Sequence, residues 1–136
     1  MSRDMPEMSP DPTTPRRALV VDDDLLIGGW VARVLGRNGY VTHTAADGLA
    51  GLQVLDGLSV VGMDVSLLVV DSEMPVMDGL AMIEQVRERM DGASMRIVLM
   101  SGSDGPTTGA DVFIAKPFEA DELIASIGSE HRPERA

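Results

Sequence analysis

Four apolar runs in this 136-residue chain end in polar residues that could do chemistry together. "ALVVDDD" ends in Asp22, Asp23 and Asp24, and "LLVVD" ends in Asp71. "IVLM" is followed by Ser101, and "VFIA" by Lys116 and Pro117. Taken one at a time these have ordinary readings. Asp24 caps a following helix, Ser101-Gly102 makes a turn, and Lys116-Pro117 opens a helix. Taken jointly, acids, a hydroxyl and a lysine converge from separate strand ends. Carboxylates gathered at one edge repel unless one is protonated or a hard cation binds them. Oxygen donors without sulfur or imidazole suit Mg²⁺, which keeps waters and takes few carboxylates. The lysine supplies a point charge for an anion such as phosphate, and the hydroxyl can bond the same anion. Cation, lysine and hydroxyl around one carboxylate are the equipment of phosphoryl transfer to an aspartate, where the work is positioning and charge neutralisation.

The elements that must position these groups alternate along the chain. Strands are expected over 17–22, 40–45, 66–71, 96–100 and 111–115. Helices are expected over 25–39 (Ile27, Trp30, Val31 and Val34 at helical spacing), 47–58 (Leu49, Leu52, Leu55), 79–90 (Leu80, Ile83, Val86) and 118–128. Glycines at 39 and 128 stop two of them. Continuous Val/Ile/Leu strands between helices imply an α/β fold with a parallel sheet covered on both faces. Ligand sites in such sheets lie beyond the carboxyl ends of the strands, where the acids are. One helix is short of expectation. "GSDGPTTGA", after Ser101, has glycines at 102, 105 and 109 and a proline at 106, so it is read as a loop.

Composition narrows the partners. The net charge of −11 favours a divalent cation or a basic protein surface over nucleic acid or an anionic membrane. The absence of cysteine removes disulfides and thiolate metal sites. No apolar run approaches the roughly 18–20 residues of a membrane span, and the N-terminus lacks an apolar signal core, so a cytoplasmic protein is expected. The Pro/Ser/Thr/Asp-rich residues 1–16 and the stretch 130–136 read as tails around one domain over 17–129.

The motifs "VVDDD" (20–24), "VVDSEMPVMDG" (69–79), "MSG" (100–102) and "FIAKPF" (113–118) resemble, in order and at the right elements, the response-regulator receiver domain of two-component signalling, the CheY-like family. The resemblance implies a flavodoxin-like doubly wound sheet of five strands in the order 2-1-3-4-5. It implies that Asp71 is the phosphoacceptor, taking a phosphoryl group from a histidine kinase or a histidine phosphotransfer protein. Asp23 and Asp71 would ligate Mg²⁺ directly, Asp22 through water, and Glu73 through its backbone carbonyl. Lys116 would pair with the phosphoryl oxygens, and Ser101 would move to bond them. Phe113 matches the switch aromatic, Pro75 and Gly79 shape the acceptor loop, and the Lys116–Pro117 peptide is expected cis.

The chain departs from the family pattern in the fourth helix, shortened or replaced by the loop after Ser101. That surface usually serves dimers and output contacts, so a monomer or weak dimer is expected, signalling to an unidentified protein target. Glu73 and Ser103 stand two residues beyond the acceptor and Ser101, respectively. Leu25 and Leu26 open the first helix on the side away from Ile27 and Val31. At least one is expected to be exposed for docking the kinase's helical phosphodonor domain. Trp30 is expected in the core, and His43 on an edge strand is read as structural. Two other readings stand beside this one. One is a degenerate receiver acting as a binding module without phosphorylation. The other is a haloacid-dehalogenase-like phosphatase, which wants a second Asp where Glu73 stands. On the receiver reading the chain is not an enzyme; it catalyses only its own phosphorylation and dephosphorylation.

Overall fold

The structure, a computed structural model, describes residues 15–89, 95–103, 105, 107 and 109–128. The elements run β1 (Arg16–Val21), α1 (Leu25–Arg37), β2 (Tyr40–Ala45), α2 (Gly48–Val60), β3 (Leu67–Asp71), α3 (Gly79–Arg89), β4 (Arg96–Ser101), β5 (Val112–Ala115) and α4 (Ala120–Ile127). The expected tails lie outside the described residues except for Pro15 and Arg16, and Arg16 already belongs to β1. Position 90, expected at the end of the third helix, also lies outside them. No helix of the described residues is long and apolar enough to cross a membrane.

The strands form one parallel sheet in the order β2-β1-β3-β4-β5, the expected topology. The uninterrupted apolar runs split by alternation between two cores. Leu19, Val21, Leu68, Val70, Ile97 and Leu99 face α2 and α3. Ala18, Val20, Leu67, Val69, Val98 and Met100 face the opposite side, with Val31, Leu35 and Leu123. Leu67, Leu68, Val69 and Val70 of β3 have no exposed surface, and each such side chain contributes about 1.5–3 kcal/mol of apolar burial. Parallel register then levels the strand ends. Val21 pairs with Val70 and Asp71 with Met100, so the residues after β1 and at the end of β3 emerge side by side.

Aspartates begin three of the helices. Asp24 Oδ1 accepts from the N–H of Leu26 (3.0 Å) and of Ile27 (3.2 Å), as its capping reading required. Asp47 does the same for Ala50 (2.8 Å) and Asp78 for Ala81 (2.9 Å). These carboxylates are thereby committed to helix ends, which separates them from Asp22, Asp23 and Asp71.

No described residue between Ser101 and β5 is helical. The end of this connection is instead pressed onto α3. Gly109 has φ +90°, and a Cβ there would lie 2.8 Å from Ile83 Cγ2, so only glycine fits so close. Ala110 packs on the α2/α3 core. Arg87 of α3 donates to the Gly109 carbonyl from Nε (3.0 Å) and Nη2 (2.7 Å), to the Met95 carbonyl (3.1 Å) and to Asp111 Oδ2 (3.1 Å). Asp111 Oδ2 also accepts from the Ile97 N–H at 2.7 Å, and its own N–H donates to the Ile97 carbonyl at 2.8 Å. One arginine thus ties α3 to the residues that lead into β5.

Candidate functional site

The strand ends deliver Asp22, Asp23, Asp71 and Lys116 to one place. Carboxylate oxygens of the three aspartates all lie within 4.8 Å of one another. Lys116 Nζ donates to Asp71 Oδ1 at 2.8 Å and to Asp22 Oδ2 at 3.1 Å. Asp22 Oδ1 accepts the Asp24 N–H at 2.9 Å, which fixes the turn after β1. Asp22 and Asp71 are buried, whereas Asp23 is exposed. Burial raises the Asp71 carboxyl above its ordinary range. The Lys116 hydrogen bond opposes this, and the charges of Asp22 and Asp23 add to it. For Lys116, burial works against the charge, but the bonds to Asp71 and Asp22 outweigh it and raise the ammonium. The lysine is therefore held cationic between two acids, with a third carboxylate open to solvent. That donor set, all oxygen and partly exposed, fits a hard divalent cation.

Local geometry explains the turn chemistry after β3. Gly79 N–H donates to the Ser72 carbonyl at 3.2 Å, and a Cβ at position 79 would run into the Asp71 carbonyl. Glycine is needed because the start of α3 comes back onto the end of β3. Val76, in the same loop, has φ +68°. Lys116–Pro117 is cis, as expected.

Ser101 is buried at the end of β4, and its hydroxyl faces its own loop. It donates to the Ser103 carbonyl at 2.8 Å and accepts the Ser103 N–H at 3.2 Å. Ser103 Oγ in turn donates to Glu73 Oε2 at 3.0 Å. The sequence flags both residues by their equivalent offsets, but nothing local in it pairs them. Phe113 pairs in register with Leu99 and is 37% exposed.

Leu25 and Leu26 are both exposed, at 76% and 85%. Beside the start of α1, Ile27, Trp30, Lys116, Pro117 and Phe118 line a groove of about 410 Å³. Trp30 is only half-buried and stacks obliquely on Phe118 at 5.8 Å, so it walls this groove as well as packing on the core. The groove was not legible in the sequence, because it needs α1 and the β5–α4 turn side by side. His43 lies on the edge strand β2, with Nε2 3.3 Å from Arg17 Nη1.

Comparison with known proteins matches this architecture. The response regulator receiver domain family matches residues 18–128. The transcriptional regulatory protein TctD of Salmonella typhimurium is 30% identical over 118 residues, 82% of this chain and 50% of its own. The chemotaxis protein CheY of Treponema pallidum is 31% identical over 121 residues, covering 85% of this chain and 82% of its own. The chain spans about half the length of the regulators it matches, such as TctD, PetR and DltR. Among solved structures, the CheY-like receiver domain protein of Methanospirillum hungatei superposes with TM-score 0.72 at 26% identity, covering 83% of this chain and 90% of that one. The response regulator TrrA of Thermotoga maritima, in complex with Mg(2+)-BeF, gives 0.70 at 28% identity, covering 82% and 96%. Receiver domains are signalling domains rather than classical enzymes. From the acids at the strand ends to the strand order and the family match, the observations agree, and the chain belongs to the response regulator receiver domain family.

Proposed function

We propose that this receiver accepts a phosphoryl group on Asp71 from the phosphohistidine of a histidine kinase or phosphotransfer protein and signals by protein contact. A carboxylate oxygen of Asp71 attacks phosphorus, the P–N bond to the donor imidazole breaks, and the electron pair leaves with the imidazole. The observation that carries this reading is the Lys116 ammonium bridging Asp71 at 2.8 Å and Asp22 at 3.1 Å, with Asp23 alongside. Lys116 holds the acceptor oxygen in place and is at hand to pair with incoming phosphoryl oxygens. Asp22, Asp23, Asp71 and the Glu73 carbonyl are the groups that would hold Mg²⁺, which supplies neutralisation of the phosphoryl charge when bound. Ser101 is the hydroxyl for the phosphoryl oxygens, and Phe113 the aromatic that follows it.

The phosphodonor domain docks on Leu25 and Leu26, whose exposure beside the acids leaves an apolar contact next to the acceptor. The reading places the protein in the cytoplasm. The transcriptional relatives leave nucleic acid open as a later partner of an assembly, although the net charge of −11 gives this chain little pull on it. Intact mass after incubation with a small phosphodonor and Mg²⁺, beside Asp71→Asn, tests the proposal. One added phosphoryl group on the parent alone supports it. No uptake points to the phosphorylation-independent binding module, and turnover of free phosphate esters to the phosphatase.

A further inference from the structure

The one proton of the Ser101 hydroxyl is committed before any phosphoryl group arrives. A serine hydroxyl has one proton to donate, and Ser101 gives it to the Ser103 carbonyl at 2.8 Å. The same oxygen accepts the Ser103 N–H at 3.2 Å, so Ser103 holds both roles of the hydroxyl. Ser103 is itself secured at its side chain, which donates to Glu73 Oε2 at 3.0 Å across 30 positions of sequence. Glu73 lies on the loop that leaves Asp71, and Ser103 on the loop that leaves β4. Among the described residues, this exposed side-chain bond joins the loop after Asp71 to the start of the β4–β5 connection.

We propose that Ser103 is a positioning residue: tethered by its hydroxyl to Glu73, it keeps the Ser101 hydroxyl turned into the β4–β5 loop until a phosphoryl group on Asp71 competes for it. The inference rests on the phosphoacceptor reading of Asp71 for its trigger, but not for its resting state. Ser101 cannot bond a phosphoryl oxygen while its proton is given to Ser103. An anion on Asp71 draws the Ser101 hydroxyl away and repels the Glu73 carboxylate on the same loop, so one event loosens both ends of the tether. Release of Ser103 then frees the start of the β4–β5 connection, the surface where a partner could read the change.

The tether is tested on the full chain without phosphodonor, by amide exchange at Gly102 and Ser103. Ser103→Ala and Glu73→Ala each raise exchange there about five-fold, the scale of one hydrogen bond. The double variant goes no further than either single one. Ser103→Thr and Glu73→Gln, which keep a donor and an acceptor, return it to the parent rate. The positioning role is tested by phosphoryl uptake from a small donor with Mg²⁺. Ser103→Ala accelerates uptake by about the same five-fold, because a larger fraction of molecules has the hydroxyl free, and Ser103→Thr reverses this. Unchanged exchange in Ser103→Ala, additive effects in the double variant, or raised exchange with unchanged uptake overturns the inference. A parent that takes up no phosphoryl group sinks the phosphoacceptor reading and with it the trigger, while the exchange result still decides the tether.

Discussion

Lys116 donates to Asp22 at 3.1 Å, and the Asp22 side chain has no surface open to bulk solvent, so the lysine supplies the charge that bulk water does not. Its second bond, to Asp71 at 2.8 Å, places one cation between two carboxylates. Removing one partner of such a buried arrangement is costly, because the remaining charges lose both solvent and counter-charge. Lys116→Met should lower unfolding free energy by about 3 kcal/mol in urea melts at neutral pH with a chelator present. Excess Mg²⁺ should recover part of that loss by substituting for the ammonium. An equal loss with and without Mg²⁺ would mean that no cation enters among the carboxylates.

Arg87 carries a different load. Its guanidinium reaches two backbone carbonyls and Asp111 at once, tying α3 to both Met95, just before β4, and the end of the β4–β5 connection. Arg87→Ala should destabilise by about 2 kcal/mol, the net worth of several hydrogen bonds from a charged donor, the one to the Met95 carbonyl part-buried. Arg87→Lys should recover little of it, since an ammonium lacks the planar fork that serves several acceptors together. Urea midpoints decide this, and a Lys variant matching the parent would refute the clamp.

The lysine and the arginine differ in how legible they are in the sequence, and the reason is physical. Lys116 follows an apolar run, so strand periodicity and the position of ligand sites in parallel sheets put it at the same sheet edge as the acids, and the family's strand order brings the strand ends together. Arg87 sits on the solvent side of an amphipathic helix, where an arginine is unremarkable, and its acceptors lie 8 to 24 residues away. The Ser103–Glu73 bond and the Trp30–Phe118 groove are hidden for the same reason. Local pattern reports which face a residue takes, not which distant residue it meets. Element ends drifted by a residue or two. β1 begins at Arg16, whose neighbour across the sheet is Tyr40, and α2 runs past Leu58 to Val60 without a stop signal at Leu58.

His43 should make stability depend on pH. Burial lowers its pKa below the ordinary value of 6.5, and the adjacent Arg17 lowers it further. The folded state therefore keeps the imidazole neutral while the unfolded chain takes up a proton as pH falls through that value. Stability contributed by neutral His43 is present above the unfolded pKa and lost below it. His43→Gln should accordingly show a smaller fall in Tm than the parent between roughly pH 7.5 and 5.5. Parallel Tm profiles would remove His43 as the source.

Val76 is the one non-glycine at positive φ among the described residues, at +68°. The left-handed region crowds a Cβ against the following carbonyl, and a β-branched side chain worsens it. The side chain is 77% exposed, so little packing compensates. Asparagine tolerates this conformation, and Val76→Asn should raise unfolding free energy by about 1 kcal/mol. Val76→Gly should gain less, because glycine has more conformational freedom to lose on folding. Val76→Ile keeps the branch and should leave the urea midpoint where it is. An Asn variant no more stable than Ile would mean that the loop relaxes and carries no strain at this position.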